Sequence, residues 1–319
     1  MSIRSLLASA AFVAFAAAAP APSVAAAQPA PAAGAATAPA DLKLFPDSKM
    51  EVGDRFSVEV VGKGPDIVLI PGLASTRETW RRTAERLRGR YRLHLIQVAG
   101  FGGESARANA SGPVLAPTAE AIDAYIVEQK LNKPLVIGHS LGGTTALYLV
   151  EKHPDHIGRI LVVDALPFLP VLVAGPSATV EQIKPMAEAM RTQMAKLSPE
   201  ARASANRQTV TGMVTAPADV DRVAGWGAKS DGAVVAQAMA DDMTLDLRPD
   251  LGKIITPVTL IYPFDAKMGV PLERWDGIYQ SQYAPLKGAK LVRIDDSRHF
   301  VMFDQPAKFD AAVDAWLKG

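Results

Sequence analysis

The sequence predicts an open α/β fold, a mostly parallel sheet with helices on both faces. Three observations carry that expectation. From about Ser57 onward, short apolar runs alternate with helix-compatible stretches. Several of the runs are continuous rather than alternating, as in strands buried on both faces. One of them leads through a glycine-flanked serine directly into a helix-forming stretch.

The N-terminus stands apart from that pattern. Ala supplies 19 of the first 40 residues and Pro five more. Arg4 gives a short positive start, and Leu6 to Ala19 is apolar over the length of a secretory core. Ala25 and Ala27 then have the small-residue spacing that a signal peptidase prefers, so residues 1–27 are expected to be a signal peptide cleaved after Ala27. A spanning helix needs about 20 uninterrupted apolar residues, whereas Pro20 and Pro22 break this run. Residues 28–42 read as an Ala/Pro-rich linker with too little apolar surface to fold. The protein is thus expected to be exported, periplasmic or secreted, without stable membrane insertion.

The folded part is expected over residues 43–319. Its strands fall at Phe56 to Val61, Ile67 to Ile70, Leu93 to Val98, Leu135 to Ile137, Ile160 to Val163, Val258 to Tyr262 and Leu291 to Ile294. Helices are expected over Thr76 to Leu87, Thr118 to Gln129, Leu141 to Lys152 and Pro306 to Leu317. Between Asp164 and Pro257 no strand interrupts helical segments at Glu181 to Lys196, Pro199 to Met213 and Asp231 to Thr244. This interval reads as a helical insertion at the carboxyl edge of the sheet. Met186, Met190 and Met194 recur every four residues there, and Met239 and Met243 repeat the spacing, either as core or as the wall of an adaptable apolar pocket.

Composition removes several function classes. With 34 basic and 33 acidic residues and no dense basic run, the chain lacks an electrostatic footprint for nucleic acid or an anionic membrane surface. The absence of Cys excludes a thiol nucleophile and a cysteine-ligated metal.

Gly138-His139-Ser140-Leu141-Gly142 fits G-x-S-x-G between a strand and a helix, the turn that exposes a serine hydroxyl in a strained backbone. A serine needs a base, and the sequence holds five histidines. His139 adjoins Ser140 and reaches back poorly; His94 lies within a strand; His153 and His156 close the helix after Ser140, away from the carboxyl edge. His299 follows the last strand and emerges at the right edge. For the acid that orients it, Asp265 after the Val258 to Tyr262 strand is favoured, with Asp164 after the preceding strand as the alternative. Two amides must face the developing oxyanion: that of Leu141, next to the nucleophile, and that of Leu73 in Pro71-Gly72-Leu73.

Taken with Gly100-Phe101-Gly102-Gly103-Glu104-Ser105, these motifs resemble the α/β-hydrolase superfamily from about residue 55 to the end, most closely its lipase-like serine members with a helical cap. The resemblance implies a cap inserted after the sixth strand, at about residues 166–250. It also implies acyl-enzyme hydrolysis of a small apolar carboxylic ester, or of an amide or lactone, with Ser140, His299 and Asp265 and no cofactor or metal. Two departures are notable: Pro71 stands where members often carry His, and Tyr262-Pro263-Phe264 precedes Asp265 in place of the usual glycine turn. The alternatives are other chemistry on the same residues, such as carbon-carbon hydrolysis, cyanohydrin cleavage or perhydrolysis, or a silent binding protein on this scaffold.

Overall fold

The computed structural model describes residues 43–319. The expected signal peptide and linker, residues 1–42, lie outside the described residues. Eight strands form one sheet: β1 (Lys49–Val52), β2 (Phe56–Gly62), β3 (Asp66–Ile70), β4 (Arg92–Val98), β5 (Leu135–His139), β6 (Arg159–Val163), β7 (Val258–Phe264) and β8 (Lys290–Asp295). Their spatial order is β1-β2-β4-β3-β5-β6-β7-β8. Only the β1/β2 and β2/β4 pairs are antiparallel; β4 to β8 run parallel. The edge strand β1 has no counterpart among the expected runs, because Lys49-Met50-Glu51-Val52 is short and largely solvated rather than apolar.

The period-2 alternation of the strands sorts the core onto two faces. Val68, Ile70, Val136, Ile160, Val162 and Leu260 face one side, under α2 (Leu115–Glu128), α3 (Leu141–Lys152) and α9 (Leu272–Tyr283). Ile67, Leu69, Leu95, Ile137, Leu161 and Ile261 face the other, under α1 (Arg81–Leu87) and α11 (Pro306–Lys318). The expected helix over Thr76 to Leu87 begins instead as a 3-10 turn, Arg77–Trp80, capped by the Thr76 hydroxyl.

Between β6 and β7 the chain forms α4 (Val171–Ala174), α5 (Val180–Lys196), α6 (Pro199–Thr211), α7 (Pro217–Lys229) and α8 (Gly232–Thr244). Each of the longer helices starts where its sequence supplies a stop or a cap. Thr179 and Gln182 form a reciprocal capping box on α5, Ser198 caps α6 ahead of Pro199, and Asp231 accepts from the Ala233 and Val234 amides of α8. α10 (Val301–Asp304) is a single turn between β8 and α11.

The connections place a crevice at the centre of the sheet. From β3 the chain leaves toward β4, and from β5 it leaves toward β6, so the loops after the adjacent strands β3 and β5 diverge. Ligands of open α/β sheets bind at the carboxyl ends of strands where such a reversal occurs.

Candidate functional site

Ser140 stands between β5 and α3 with φ 54° and ψ −124°, a left-handed conformation that costs a non-glycine residue about 1–3 kcal/mol. Hydrogen bonding holds it there. Its amide donates to the Val163 carbonyl at 2.9 Å, and its carbonyl accepts from the amides of Gly143 at 2.7 Å and Thr144 at 3.0 Å. The turn also needs close backbone approach on two sides. A Cβ on Gly142 would lie 2.3 Å from the Ile70 carbonyl oxygen at the end of β3, and one on Gly72 would lie 2.9 Å from the Ser140 Cβ. The loop after β3 is thereby pressed against the serine, which brings Leu73 to the wall of the same cavity.

His299, on the loop after β8, places Nδ1 2.6 Å from Asp164 Oδ2. Asp164 is the residue just past β6, at φ 48°, a left-handed conformation that Asp tolerates better than most residues. Its second oxygen accepts from the Tyr279 hydroxyl. Burial first, and then the Asp164 charge, hold the Tyr279 phenol well above its ordinary pKa, so it remains a donor. A carboxylate can only accept, so Nδ1 of His299 carries the proton in this pair. His139 lies behind, its ring 4.5 Å from that of His299 and its Nε2 3.0 Å from the His299 carbonyl. Burial, reinforced by the neighbouring His299, keeps the His139 imidazole well below its usual pKa and therefore neutral.

Asp265, the acid favoured from the sequence, is not at His299. Its carboxylate accepts from the Lys267 amide at 2.9 Å and from Arg298 Nε at 2.9 Å. Strand β7 continues through Phe264, so the expected strand-end acid is carried past the imidazole into a short turn of its own. The alternative, Asp164, occupies the position instead. Signals for it were its strand-end place beside the Ser140 strand and its tolerance of left-handed backbone.

Ser140 and His299 share a cavity that opens to solvent. Its floor is Gly72, Leu73 and His139, and its roof comes from α5 to α8, including Met190, Met194, Val210, Val223 and Met239. A second cavity meets the first at Ser140, His299 and Met213, and extends past Asp164 toward Leu166, Leu169 and Trp275. Strained serine, oriented imidazole and enclosed apolar space together suit nucleophilic attack on a carbonyl.

The sequence profile of the alpha/beta hydrolase family matches residues 67–312, most of the chain. The chain belongs to the alpha/beta hydrolase family. Relatives named pimeloyl-[acyl-carrier protein] methyl ester esterase are 36% identical over 111 residues in Aeromonas salmonicida, covering 35% of this chain and 42% of that protein, and 24% identical over 265 residues in Nitrosomonas europaea, covering 81% and 98%. A Vibrio vulnificus relative of the same name matches over 39% of its own length, so the more similar matches span about two fifths of those proteins. Among solved structures, an esterase from Exiguobacterium antarcticum superposes with a TM-score of 0.68 at 20% identity, covering 83% of this chain and 96% of that one. An enol-lactonase from Burkholderia xenovorans LB400 gives 0.65 at 20%, with the same coverage. At these identities the structures attest the fold.

The other three histidines line neither cavity. His94 is buried, 2.7 Å from the Tyr125 hydroxyl and 3.0 Å from Asp66. His153 and His156 stack beside Asp123, one cluster among the described residues that could hold a metal ion. It sits at the far end of α3, a 12-residue helix of roughly 18 Å, and is remote from Ser140. The methionine pattern divides: Met190, Met194 and Met239 line the cavity, Met243 is core, and Met186 is exposed. One buried residue in the second cavity, Asp242 on α8, escaped the sequence reading; its only signal was an acid on the helix face shared with Ala238 and Met239.

Proposed function

We propose that this hydrolase cleaves carboxylic esters with an apolar acyl group through an acyl-enzyme, with Ser140 as nucleophile, His299 as base and Asp164 as the acid that orients it. The observation that carries this is the 2.6 Å pairing of His299 Nδ1 with Asp164, on an imidazole that shares a cavity wall with a strained Ser140. With Nδ1 donating to Asp164, Nε2 is the nitrogen left to accept the Ser140 proton as the hydroxyl attacks the carbonyl carbon. The amides of Leu73 and Leu141 would receive the oxyanion. Leu141 is the first residue of α3, where the unpaired amides of a helix start favour negative charge. The imidazolium then protonates the leaving alcohol, and water, deprotonated by the same nitrogen, releases the acid.

Burial keeps His139 neutral, so no second positive charge opposes the imidazolium as it forms. The methionines in the cavity roof favour an apolar acyl chain over a charged one. The names of the esterase relatives agree with ester chemistry.

The test is turnover of p-nitrophenyl esters graded in acyl length, alongside labelling by a fluorophosphonate. The wild type should label and turn over the series, and Ser140→Ala should do neither. Labelling without turnover of any ester would transfer the reading to another reaction of the same residues, and absence of labelling would end the nucleophile assignment.

A further inference from the structure

The second cavity contains a group that the acyl-transfer scheme does not use. Asp242 projects from α8, a helix that otherwise buries Val234, Ala238, Met239 and Met243. The residue is 7% exposed, and its Oδ1 is fully buried with no hydrogen-bond partner among the described residues. The Thr144 hydroxyl, from the first turn of α3, lies beside the carboxyl and favours its charged form. The other charged groups lining this cavity are engaged: Asp164 with His299 and Tyr279, and Arg298 with Asp265. The remaining lining is largely apolar, including Leu166, Leu169, Leu172 and Trp275. A carboxylate at the wall of so apolar a cavity is costly to hold, and a ligand that donates a hydrogen bond to it offsets that cost.

The place of the cavity fixes which part of a substrate reaches it. The first cavity includes Gly72 and Leu73, the segment proposed to face the carbonyl oxygen, together with the methionine roof. The second touches Ser140, Asp164 and His299 but not that segment. The leaving alcohol departs on the side of the imidazole that protonates it.

We propose that the Asp242 cavity is the alcohol-side subsite, and that it selects esters whose leaving alcohol carries a second hydroxyl, which donates its hydrogen bond to the Asp242 carboxylate. The proposal rests on the ester-hydrolase reading. The reaction is ordinary hydrolysis: the acyl carbon-oxygen bond breaks, water is consumed, and a diol leaves with the proton from His299. Burial pushes the Asp242 carboxyl up to about 7, so it is only partly charged near neutral pH and suits a neutral hydroxyl as partner. Near neutral pH the group is present both as an acceptor-only carboxylate and as an acid that still accepts, and a hydroxyl can pair with either.

The test compares 2-hydroxyethyl and n-propyl butanoate, which match in size and differ in one terminal group, with rates normalised to alkaline hydrolysis. The wild type should favour the hydroxyethyl ester in kcat/KM by about tenfold, the worth of roughly one hydrogen bond to a charged group. Asp242→Leu should bring that ratio near one, and Asp242→Asn should retain part of it. Equal wild-type rates on the two esters overturn the inference without calling on any variant, so a variant that fails to fold does not rescue it. A preference that appears instead for n-propyl 3-hydroxybutanoate over n-propyl butanoate overturns the assignment of the cavity to the alcohol. Failure on every ester, with Ser140 still labelled by fluorophosphonate, removes the underlying ester reading, a result distinct from turnover without preference.

Discussion

Two aspartates compete for one histidine, and hydrogen bonding at each separates them. Asp164 accepts from His299 and Tyr279, whereas Asp265 is occupied by Arg298 and the Lys267 amide. Asp164→Asn should therefore lower kcat on a p-nitrophenyl ester by about three to four orders of magnitude, since an amide disrupts the tautomer that faces Ser140. Asp265→Asn should leave kcat within about tenfold but reduce stability. Burial alone would raise the Asp265 pKa, but the Lys267 amide and Arg298 outweigh it and hold the carboxyl below the usual carboxylate range. A depressed folded-state pKa contributes stability above the unfolded value of about 3.9, lost as pH falls through the folded value. The Tm deficit of Asp265→Asn should thus be full at pH 7 and shrink below about pH 4, as thermal unfolding across that range would register.

At the scale of elements, the loop after β3 is held by a charge cluster as well as by packing. Arg77, 1% exposed, lies 3.0 Å from Glu104 and 3.8 Å from Glu59, and also donates to Ser57. Glu59 on β2 accepts in addition from the Leu44 and Phe45 amides and the Ser48 hydroxyl. Desolvation lowers the Arg77 pKa even with both glutamates present, so the cluster is an expensive one to break from one side. Arg77→Met leaves buried Glu59 without a cation and Glu104 with Arg107 alone, and should destabilise the fold by about 3–5 kcal/mol. Urea unfolding monitored by far-UV circular dichroism measures it.

The same scale shows what the sequence made legible. The parallel strands, the turn at Ser140 and the place of His299 follow from apolar runs and from glycine spacing, which local chemistry dictates. β1 did not, because an exposed edge strand needs no apolar run. α7 and α9 carry Gly225, Gly227 and Gly277 inside them and were hidden by those helix breakers, although their buried faces, Trp226 and Tyr279 among them, secure them by tertiary packing. The choice of acid lay beyond reach for a related reason: how far β7 runs before turning depends on its pairing with β8 through Phe264 and Asp295, a long-range contact.

For the whole molecule, we propose export by the N-terminal signal, because Arg4, the apolar run and Ala25 to Ala27 have the order that a signal peptidase reads. Expressed in a bacterium with an intact secretory pathway, the protein should be recovered outside the cytoplasm with Gln28 as its first residue, as intact-mass measurement and N-terminal sequencing would reveal. A cytoplasmic product that retains Met1 contradicts it.

Arg298 links the loop of the base to the roof. Arg298, the immediate neighbour of His299, donates to the Thr211 and Val214 carbonyls at the junction of α6 and α7 while gripping Asp265 at the end of β7. The base is thus tied to the roof on both sides, by the Arg298 side chain and by the Phe300 amide, which donates to the Met213 carbonyl at 3.2 Å. Any displacement of that roof would therefore load the strut beside the imidazole.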